Sequence, residues 1–561
     1  MRQNRPNRLT PMLMAICVIV GVVIGTFYAN HFSGNRLNII NSGSNRLNNL
    51  LHIIDDQYVD DVNIDSLVDM AIPQILSDLD PHSVYISAED VQRTQDDLKG
   101  SFSGIGVEFV IRQDTIHVQN VVKNGPAQQA GVLAGDKIVS VDGKPFVGKV
   151  VTNEEAMRRL KGQKGTKVKI GVMRYGSKAV KYFTITRANI PQKSISAVYM
   201  LDENTGYIKI KNFGENTYAE LLVALAELSQ EGFANLVIDL RDNTGGYLES
   251  AVQMINEFLP KNKLIVYTEG RKSPRQEFRS DGSGSYQSIP LVVLINEASA
   301  SASEIFAGAI QDNDRGTIIG RRSFGKGLVQ KQMEFPDGSI IRLTTARYYT
   351  PSGRCIQKPY TAGDNVDYEE DLLARYQHGE FFSQDSIKHT GPAYHTGLGR
   401  VVYGGGGITP DIFVPEDTLG MTSYFKEASM SGLILQYAFI YTDNNRPKLN
   451  NFKEMMELSD YLVKQDMVEK FANYADKHGL QRRNLLIRKS HKLLERVLNG
   501  RIIYNMLNEQ AWSQYINQDD PVIRKTLEVF EENAAFPKKP VAVHVQKAKG
   551  KLSNKVSGKA K

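Results

Sequence analysis

Three serines in one short segment are the first candidates for chemistry in this sequence. Ser299, Ser301 and Ser303 alternate with alanines in the segment 296–304, Asn-Glu-Ala-Ser-Ala-Ser-Ala-Ser-Glu. The apolar run 290–295 before it predicts a buried strand, and the Ala- and Ile-rich run after it predicts a helix. A strand-to-helix turn exposes a hydroxyl, and the first N–H groups of the helix can stabilise an oxyanion. The segment is therefore a candidate nucleophile turn, although serines that only cap and pack the helix give the same local pattern.

A lysine and a glutamine follow in a second segment. Lys326 lies between Gly325 and Gly327, which let the backbone pass close to other groups, and Gln330 lies four residues further on. A spacing of four puts Lys326 and Gln330 on one side of either a helix or a strand. We therefore expect the two side chains to lie near each other.

A glycine turn ends the buried strand predicted over 235–240. The turn, Arg-Asp-Asn-Thr-Gly-Gly, finishes with Gly245 and Gly246, where the backbone can approach a ligand closely. Both glycines are therefore candidates for donating a backbone N–H into a cleft. Asp239 and Arg241 beside them could take part in catalysis, but we expect them to organise the turn.

One histidine is an alternative candidate for a catalytic base. His82 follows Asp80 and Pro81, a pair that favours a local turn. We therefore expect a structural histidine, and a catalytic role for His82 or another histidine stays as the alternative.

Residues 101–188 have the pattern of a compact β-rich module. Strand signals alternate with turns, and a short helix lies between two glycines. An amphipathic helix is predicted over 152–160, with Thr152 or Asn153 as its N-cap. This succession resembles a PDZ domain along the whole module.

The glycine-rich loop of this module is the candidate peptide site. Successive N–H groups in Gly104, Ile105, Gly106 and Val107 can hold a C-terminal carboxylate, and the strand edge beyond can accept an added peptide strand. Ile105 and Val107 would help to line a pocket for the terminal side chain, which predicts an apolar preference. A structural bulge is the alternative reason for the glycines.

The remaining segments predict the elements that position these groups. Residues 189–415 alternate strand and helix signals, which is typical of an α/β core. Residues 361–400 are polar and irregular, and we expect a surface insertion there. Residues 418–533 lack strand signals and predict a helical region. Its apolar faces could pack on the core or form a contact between two copies of the chain.

The N-terminus predicts a membrane anchor. Arg2, Arg5 and Arg8 precede an almost entirely apolar run of 19 residues, 11–29, which is long enough to cross a bilayer as a helix. The basic flank should stay in the cytoplasm. We expect a single-pass, uncleaved anchor in the inner membrane, with the rest of the chain in the periplasm. A cleaved signal peptide is the alternative, although Phe27 at the −3 position of the best cut fits poorly.

Composition narrows the function classes. With 561 residues, of which 41% are hydrophobic, the chain is expected to form two to four domains. A net charge of +6 is small for this length and gives no argument for nucleic acid. Two cysteines, Cys17 and Cys355, exclude a disulfide scaffold and a Cys-based zinc site, and the ten histidines form no metal-binding motif. The tail 536–561 has eight lysines and no acid, which predicts a solvated tail or, alternatively, contact with an anionic surface.

The motifs together point to a family. The PDZ-like module is combined with five motifs, at 79–83, 239–246, 299–304, 324–330 and 348–353. This combination resembles the C-terminal processing peptidases, also called tail-specific proteases, of the S41 serine peptidase family. The resemblance covers roughly residues 45–415, and the insertion at 361–400 departs from the more compact members.

The resemblance implies a serine endopeptidase that needs no metal or cofactor and acts on proteins with exposed apolar C-termini. It implies that Ser301 is the nucleophile, that Lys326 is the base and that Gln330 orients the lysine. The backbone N–H groups of Ala302 and Gly246 would form the oxyanion hole. This chemistry is self-consistent, because a lysine can act as a base only when it is neutral, and burial lowers its pKa.

The resemblance also sets the alternatives. Family members couple peptide capture to alignment of the catalytic pair, and Arg174 near the end of the module is a candidate for that coupling. A non-enzymatic envelope scaffold is the alternative function, and the joint presence of Ser301, Lys326 and Gln330 argues against it.

The expected fold is a mixed α/β (α+β) protease core with an inserted PDZ-like β-rich domain, an N-terminal transmembrane helix and a helical C-terminal region. We predict six segments: flank and anchor, N-terminal helical part of the core, PDZ domain, S41 core, helical region and basic tail. Their predicted bounds are 1–30, 45–100, 101–188, 189–415, 418–533 and 536–561.

Overall fold

Helices precede the first strand of the chain. The computed structural model describes residues 18–22, 43–91, 100–112, 114–174, 179–364, 366–389 and 391–539. The chain divides into two units, 1–76 and 77–561. Helix α1 (Gly43–Gln57) lies in the first unit, and α2 (Ile64–Ser77) ends at the first residue of the second.

The predicted membrane anchor falls largely outside the described residues. Of the stretch 11–29, only 18–22 are described, and they are helical. Across the described ranges of the chain, no helix is both long and apolar enough to cross a bilayer. The basic tail is described only as far as residue 539.

The second unit starts with β1 (Val84–Ile86) and continues into the β-rich module. Strand β2 (Ser101–Gly104) pairs with β9 (Ala188–Pro191), so the chain enters and leaves the module side by side. Between them lies an antiparallel sheet in the order β3-β4-β5-β7-β8, with β6 paired to β5. The elements of the module are β3 (Val107–Arg112), β4 (Thr115–Val121), α3 (Pro126–Ala130), β5 (Lys137–Val141), β6 (Lys144–Pro145), α4 (Asn153–Leu160), β7 (Lys167–Met173) and β8 (Val180–Thr186).

Local sequence explains the helix and the core of this module. Thr152 caps α4 as predicted, because its hydroxyl oxygen accepts from the Glu155 N–H at 3.1 Å. Alternate residues of the strands are apolar and fully buried, so the sheet packs one face against α4. Ala156 and Leu160 of α4 belong to the same core.

The α/β core is built on a six-stranded sheet in the order β10-β11-β12-β15-β16-β21. Within this sheet the neighbouring strands β11, β12, β15, β16 and β21 are parallel, and β10 is antiparallel to β11. Every residue of the central strand β15 is buried, as expected for a parallel strand covered on both faces. The elements are β10 (Ile195–Met200), β11 (Thr205–Ile210), α5 (Thr217–Glu231), β12 (Asn235–Asp239), α6 (Leu248–Asn256), β15 (Leu291–Ile295), α7 (Ala302–Asp312), β16 (Thr317–Gly320) and β21 (Ile412–Phe413).

A second sheet carries the segment with Lys326. Its order is β1-β18-β13-β14, and β17 pairs with β18. Strand β17 begins two residues after Lys326, so the lysine lies in the loop that leads into this sheet. The strands are β13 (Leu264–Gly270), β14 (Ser273–Arg279), β17 (Leu328–Glu334) and β18 (Ile340–Tyr349).

The prediction that residues 361–400 are irregular was wrong. They form α8 (Val366–Gln377), a 3-10 turn (Gln384–Ser386) and a hairpin of β19 (Ala393–His395) and β20 (Val401–Tyr403). The helix buries Tyr368 and Arg375, and Arg375 pairs with the buried Glu380. A face that is buried through an ion pair has no apolar stripe, which is why hydrophobic periodicity missed it.

The C-terminal region is helical, as predicted. Its helices are α9 (Ser423–Met430), α10 (Leu433–Leu449), α11 (Met455–Val463), α12 (Met467–Lys477), α13 (Asn484–Lys489), α14 (His491–Met506), α15 (Glu509–Asn517) and α16 (Pro521–Glu531). Most of them share one hydrophobic core of their own. The last helix, α16, instead packs Val522 and Phe530 on the core sheet, against Val237 and Leu294. The predicted contact between two copies stays a prediction.

Candidate active site

Ser301 lies at the sharp turn between β15 and α7. Its backbone has φ 56° and ψ −114°, a conformation that residues with a side chain rarely adopt. Such a conformation costs about 1–3 kcal/mol and persists only where the surroundings enforce it. A strained strand-to-helix turn also exposes the nucleophile of α/β-hydrolases. The geometry therefore fits a nucleophile.

The two neighbouring serines are occupied by the turn itself. The Ser299 hydroxyl donates to the Leu240 carbonyl, and the Ser303 hydroxyl donates to the Asn243 carbonyl, both at 2.8 Å. Both side chains are fully buried, whereas Ser301 is half-buried. Ser299 and Ser303 therefore join the serine turn to the glycine turn, as expected for structural residues.

The glycine turn presses directly against Ser301. A Cβ atom on Gly245 would lie 2.7 Å from the Ser301 Cβ and 3.0 Å from the Ala302 nitrogen, so no other residue fits there. The Gly245 N–H already donates to Asn243 Oδ1 at 2.9 Å. Of the two glycines, Gly246 is therefore the better candidate for an oxyanion donor beside Ala302, the first residue of α7.

A buried carboxylate that sequence reasoning did not single out joins the serine turn to the lysine loop. Glu304 is fully buried, and its Oε2 accepts from the N–H groups of Ser301 at 2.9 Å and Lys326 at 2.8 Å. Its Oε1 accepts from the Gly325 N–H at 2.7 Å and the Ser323 hydroxyl at 2.5 Å. Ser301 and Glu304 have the Ser-x-x-Glu spacing of a capping box. That spacing predicts the bond from the Ser301 N–H to Glu304, but it does not predict the three bonds from the lysine loop. Burial raises the pKa of Glu304 to about 7, against the lowering effect of these donors.

A tyrosine makes the complementary bridge. The Tyr348 hydroxyl lies within hydrogen-bonding distance of the Lys326 carbonyl and, at 3.1 Å, of the Ser301 carbonyl, and it has one proton to donate to the two. Tyr348 is almost completely buried, and burial raises its pKa well above the usual value, so it stays a neutral donor. The backbones of Ser301 and Lys326 are thus linked through their N–H groups by Glu304 and through their carbonyls by Tyr348.

Lys326 has the environment that a neutral amine needs. A Cβ on Gly327 would lie 2.8 Å from the Gln357 nitrogen, so the loop is tightly packed. Burial and the positive charge of Arg342 lower the pKa of Lys326, while the carboxylates of Glu304 and Asp80 oppose the shift.

Gln330 is placed in a chain of polar contacts that leads to Asp80. Its Nε2 donates to Thr344 Oγ1 at 3.4 Å, and Thr344 Oγ1 donates to Asp80 Oδ1 at 3.0 Å. The same Asp80 oxygen accepts from the N–H groups of His82 and Ser83, both at 2.9 Å. Gln330 therefore connects β17 with the turn at residue 80.

His82 pairs with a residue of α8. Its Nε2 pairs with the Tyr368 hydroxyl of α8 at 2.8 Å. Burial and the nearby Lys326 lower the pKa of His82 to about 4, so the ring is neutral near pH 7. These contacts agree with the structural role expected from the sequence.

The helix α8 braces the lysine loop. The Arg375 guanidinium donates to the carbonyls of Ser323 at 3.1 Å and Arg322 at 2.7 Å, immediately before the loop. The ring of Tyr368 packs edge-on against Phe324, with 5.9 Å between centroids. The segment 361–400 is therefore packed against the lysine loop and is not only a surface insertion.

Asp239 and Arg241 organise the glycine turn. The fully buried Asp239 carboxylate accepts from Tyr207, Lys209 and Arg241, and Arg241 also pairs with Asp520 at 2.6 Å. Burial raises the pKa of Asp239, but the positive charges of Arg241 and Lys209 outweigh it and hold the pKa below its usual range. The hydrogen bonds that the Asp239 carboxylate accepts hold the turn, as expected from the sequence.

The loop proposed for peptide binding connects β2 and β3. Gly104 ends β2 and Val107 begins β3, with Ile105 and Gly106 between them. Gly106 has φ 77°, and a Cβ there would lie 3.1 Å from Ile190 Cδ1. Ile105 is 2% exposed and belongs to the module core, so Val107 is the more accessible of the two apolar residues.

Arg174 is held inside the module. Its guanidinium pairs with the buried Asp136 at 2.7 Å and donates to the Gly131 carbonyl at 2.9 Å. Its role in coupling capture to catalysis stays a prediction.

Comparison with known proteins places the chain in a family. Family models match it as a PDZ domain over 103–183, as peptidase family S41 over 204–366 and as a family of unknown function (DUF8443) over 424–508. A carboxy-terminal-processing protease of Bartonella bacilliformis is 38% identical over 337 residues, covering 59% of this chain and 76% of the relative. The carboxy-terminal processing protease CtpB of Bacillus subtilis is 35% identical over 309 residues, covering 54% of this chain and 64% of the relative.

A solved structure of the photosystem II D1 C-terminal processing protease is 29% identical, covers 55% of this chain and 88% of its own, and has a TM-score of 0.31. On the sequence matches, the chain belongs to the S41 peptidase family of carboxy-terminal processing proteases and is a serine-type peptidase that carries a PDZ domain.

The Glu304 bridge leads to a first prediction. We expect Glu304→Gln to lower kcat by about 10- to 100-fold, because an amide NH₂ would face backbone N–H groups that now have an acceptor. The same mismatch should lower the free energy of unfolding by about 2–4 kcal/mol. Steady-state cleavage and urea unfolding measure the two effects.

The matched control for this prediction is Glu297→Gln. Glu297 lies in the same turn, and the ion pair that the structure gives it is with Arg321, at 2.8 Å. Equal activity of the Glu304→Gln and Glu297→Gln proteins would contradict a role for the bridge.

The environment of Lys326 gives a prediction about pH. A base acts when deprotonated, so kcat/KM should rise with pH through the pKa of Lys326. The charge of Arg342 lowers that pKa. Arg342→Gln should therefore raise it and move the rise of kcat/KM to higher pH. Arg347→Gln, an exposed arginine on the same strand, should leave the profile unchanged. Identical profiles for wild type and Arg342→Gln would refute the assignment.

Proposed function

We propose that this protein is an endopeptidase that captures the C-terminal tail of a protein through its PDZ domain and cleaves the chain with a Ser301–Lys326 pair. The observation that carries the proposal is the double bridge, in which Glu304 and Tyr348 both bond the backbones of Ser301 and Lys326. Two bonds on the N–H side, and the single proton of the Tyr348 hydroxyl between the two carbonyls, hold the strained serine and the lysine loop in one arrangement. Pre-positioned reacting groups are a large source of catalytic rate.

The proposed reaction is acyl transfer. The Ser301 hydroxyl attacks the scissile carbonyl, and its proton passes to the neutral Lys326 amine. The N–H groups of Ala302 and Gly246 stabilise the oxyanion. Collapse of the tetrahedral intermediate breaks the C–N bond, and Lys326 returns the proton to the leaving amine. Water then attacks the acyl-enzyme by the same route and releases the new C-terminus.

Burial of Lys326 serves this chemistry directly. An exposed lysine holds its proton at neutral pH and cannot accept another. Burial and Arg342 favour the neutral amine. We propose that Gln330, held by Thr344, restricts the lysine side chain from the β17 side.

The function is tested by cleavage of an unstructured protein with a free apolar C-terminus. We expect Ser301→Ala and Lys326→Ala each to lower kcat/KM by at least about a thousandfold, because each removes one half of a unit that acts together. His82→Ala should keep most of the activity, since its Nε2 is bonded to Tyr368. Thermal unfolding of each variant controls for folding.

Each contrary outcome has a separate meaning. Full activity of Ser301→Ala would contradict the assignment of Ser301 as the nucleophile. An inactive wild-type protein would favour the alternative function, a non-enzymatic scaffold. Activity in Lys326→Ala together with its loss in His82→Ala would identify a histidine base.

In the same assay, amidation of the substrate's C-terminus should lower kcat/KM by about tenfold, because the loop at 104–107 would lose the carboxylate it binds.

We also propose that residues 11–29 anchor the chain in the inner membrane, with the catalytic part in the periplasm. The apolar run of 19 residues and the basic flank before it support this topology. Alkaline phosphatase, which is active only outside the cytoplasm, should be active when fused after residue 43 and inactive when 11–29 are deleted. An inactive intact fusion would contradict the topology, and a shortened mature product would show that the segment is cleaved.

A further inference from the structure

The C-terminal helical region packs on the sheet of the PDZ domain. Gln119 of β4 donates to Asn505 of α14 at 2.6 Å, and the Tyr504 hydroxyl contacts the Glu108 carboxylate of β3 at 3.4 Å. The ring of His117 lies edge-on against another helix residue, Phe439. The helices α10 and α14 therefore cover the part of the sheet formed by β3 and β4.

The alternation of β3 defines which face is covered. Val107, Phe109 and Ile111 pack against the module core. Successive side chains of a strand point to opposite faces, so Glu108, Val110 and Arg112 share the other face. The contact between Glu108 and Tyr504 shows that the helical region lies on this second face.

A cavity of about 500 Å³ remains between the two parts. Its walls include three successive residues of β3, Val110, Ile111 and Arg112, together with Leu435, Arg501 and Tyr504 of the helices. Arginines are the charged residues among the described residues that line it, and none of these is acidic. The cavity is open to solvent, since Leu435 is 51% exposed.

Arg112, one of the two arginines that line the cavity, has a donor without a partner among the described residues. The Nε of Arg112 is buried and makes no hydrogen bond to the part of the chain that the structure describes. A carboxylate is the partner that a guanidinium binds best, through paired N–H donors.

The edge of β3 brings a captured tail to this cavity. Strand β3 ends the sheet order, so its outer edge can accept an antiparallel strand. In an antiparallel pair, each step forward along β3 is one step back along the tail. If the last residue of the tail lies opposite Val107, the third residue before the last lies opposite Val110, and the fifth residue before the last lies opposite Arg112. Residues opposite each other in an antiparallel pair point to the same face. The third and fifth residues before the last would therefore point towards the cavity, and the fourth would point towards the module core.

We propose that this cavity is a second recognition subsite for the substrate tail, built jointly by β3 and the helical region. It takes an aspartate or glutamate side chain at the third or fifth residue before the C-terminus, with Arg112 and Arg501 as its cationic groups. The inference rests on the proposed capture of C-terminal tails and adds a preference to it. It also gives the region matched to a family of unknown function a specific role.

The test uses the full chain with Ser301→Ala, which keeps labelled peptides intact, and fluorescence anisotropy as the readout. The peptides share a free apolar C-terminus and carry glutamate or lysine at the third, fourth or fifth residue before the last. Glutamate should bind about tenfold tighter than lysine at the third or fifth position. At the fourth position the two peptides should bind equally, because that side chain faces the core side.

Variants locate the subsite. Arg501→Gln should remove the difference between glutamate and lysine, whereas the matched Arg488→Gln, an exposed arginine of α13, should keep it. Leu435→Glu adds a negative charge at an exposed wall residue, so it should reverse the preference without a cost to folding. Thermal unfolding reports on the fold of each variant.

The outcomes separate this inference from the proposed function. Binding that needs the free carboxyl group but ignores glutamate and lysine at all three positions would overturn the subsite alone. Binding that is unchanged when the peptide is amidated would overturn tail capture by the loop at 104–107. A preference that persists in both Arg501→Gln and Leu435→Glu would also overturn the assignment of this cavity.

Discussion

The carboxylate of Glu304 accepts hydrogen bonds from the backbones of two segments that carry the candidate nucleophile and the candidate base. Its removal from water is costly, and four donors, from Ser301, Ser323, Gly325 and Lys326, offset that cost. The strained backbone of Ser301 is bonded on both sides, since this carboxylate accepts from its N–H and its carbonyl accepts from the N–H groups of Glu304 and Ile305, with the Tyr348 hydroxyl close by. The rest of the core serves to keep these donors and acceptors together.

The same carboxylate creates an electrostatic conflict that the structure balances. Its negative charge favours the protonated form of Lys326, which is the form that cannot act as a base. Burial and Arg342 act in the opposite direction. The protonation state of the lysine is therefore set by several elements, because Arg342 lies on β18 and Glu304 on α7. The tight packing at Gly325 and Gly327, on either side of Lys326, agrees with the burial that lowers its pKa.

Supports from outside the protease motif hold this arrangement. The insertion contributes Arg375, which bonds the two carbonyls before the lysine loop, and Tyr368, whose ring packs against Phe324 of that loop. The helical region contributes α16, whose apolar residues cover the core sheet, and Asp520, which pairs with Arg241 at the glycine turn. The additional segments of this chain are thus tied to the site by specific bonds.

The sequence by itself determined the elements and the candidate residues. Buried strands before the serine and glycine turns, the β-rich module and the helical C-terminal region all follow from short-range periodicity, which depends only on neighbours along the chain. The motifs around Ser301 and Lys326 were sufficient to suggest the family, and the sequence matches confirmed it.

Only the tertiary structure decided which groups hold those residues in place. Glu304 and Tyr348 bond backbone atoms of Lys326, each 22 residues away along the chain, and α8 is buried through Arg375 and Glu380 instead of an apolar stripe. The cavity beside β3 requires helices that lie more than 300 residues after the strand. Hydrogen bonds and ion pairs between distant segments leave no period in the sequence, so their partners are defined only once the chain has folded.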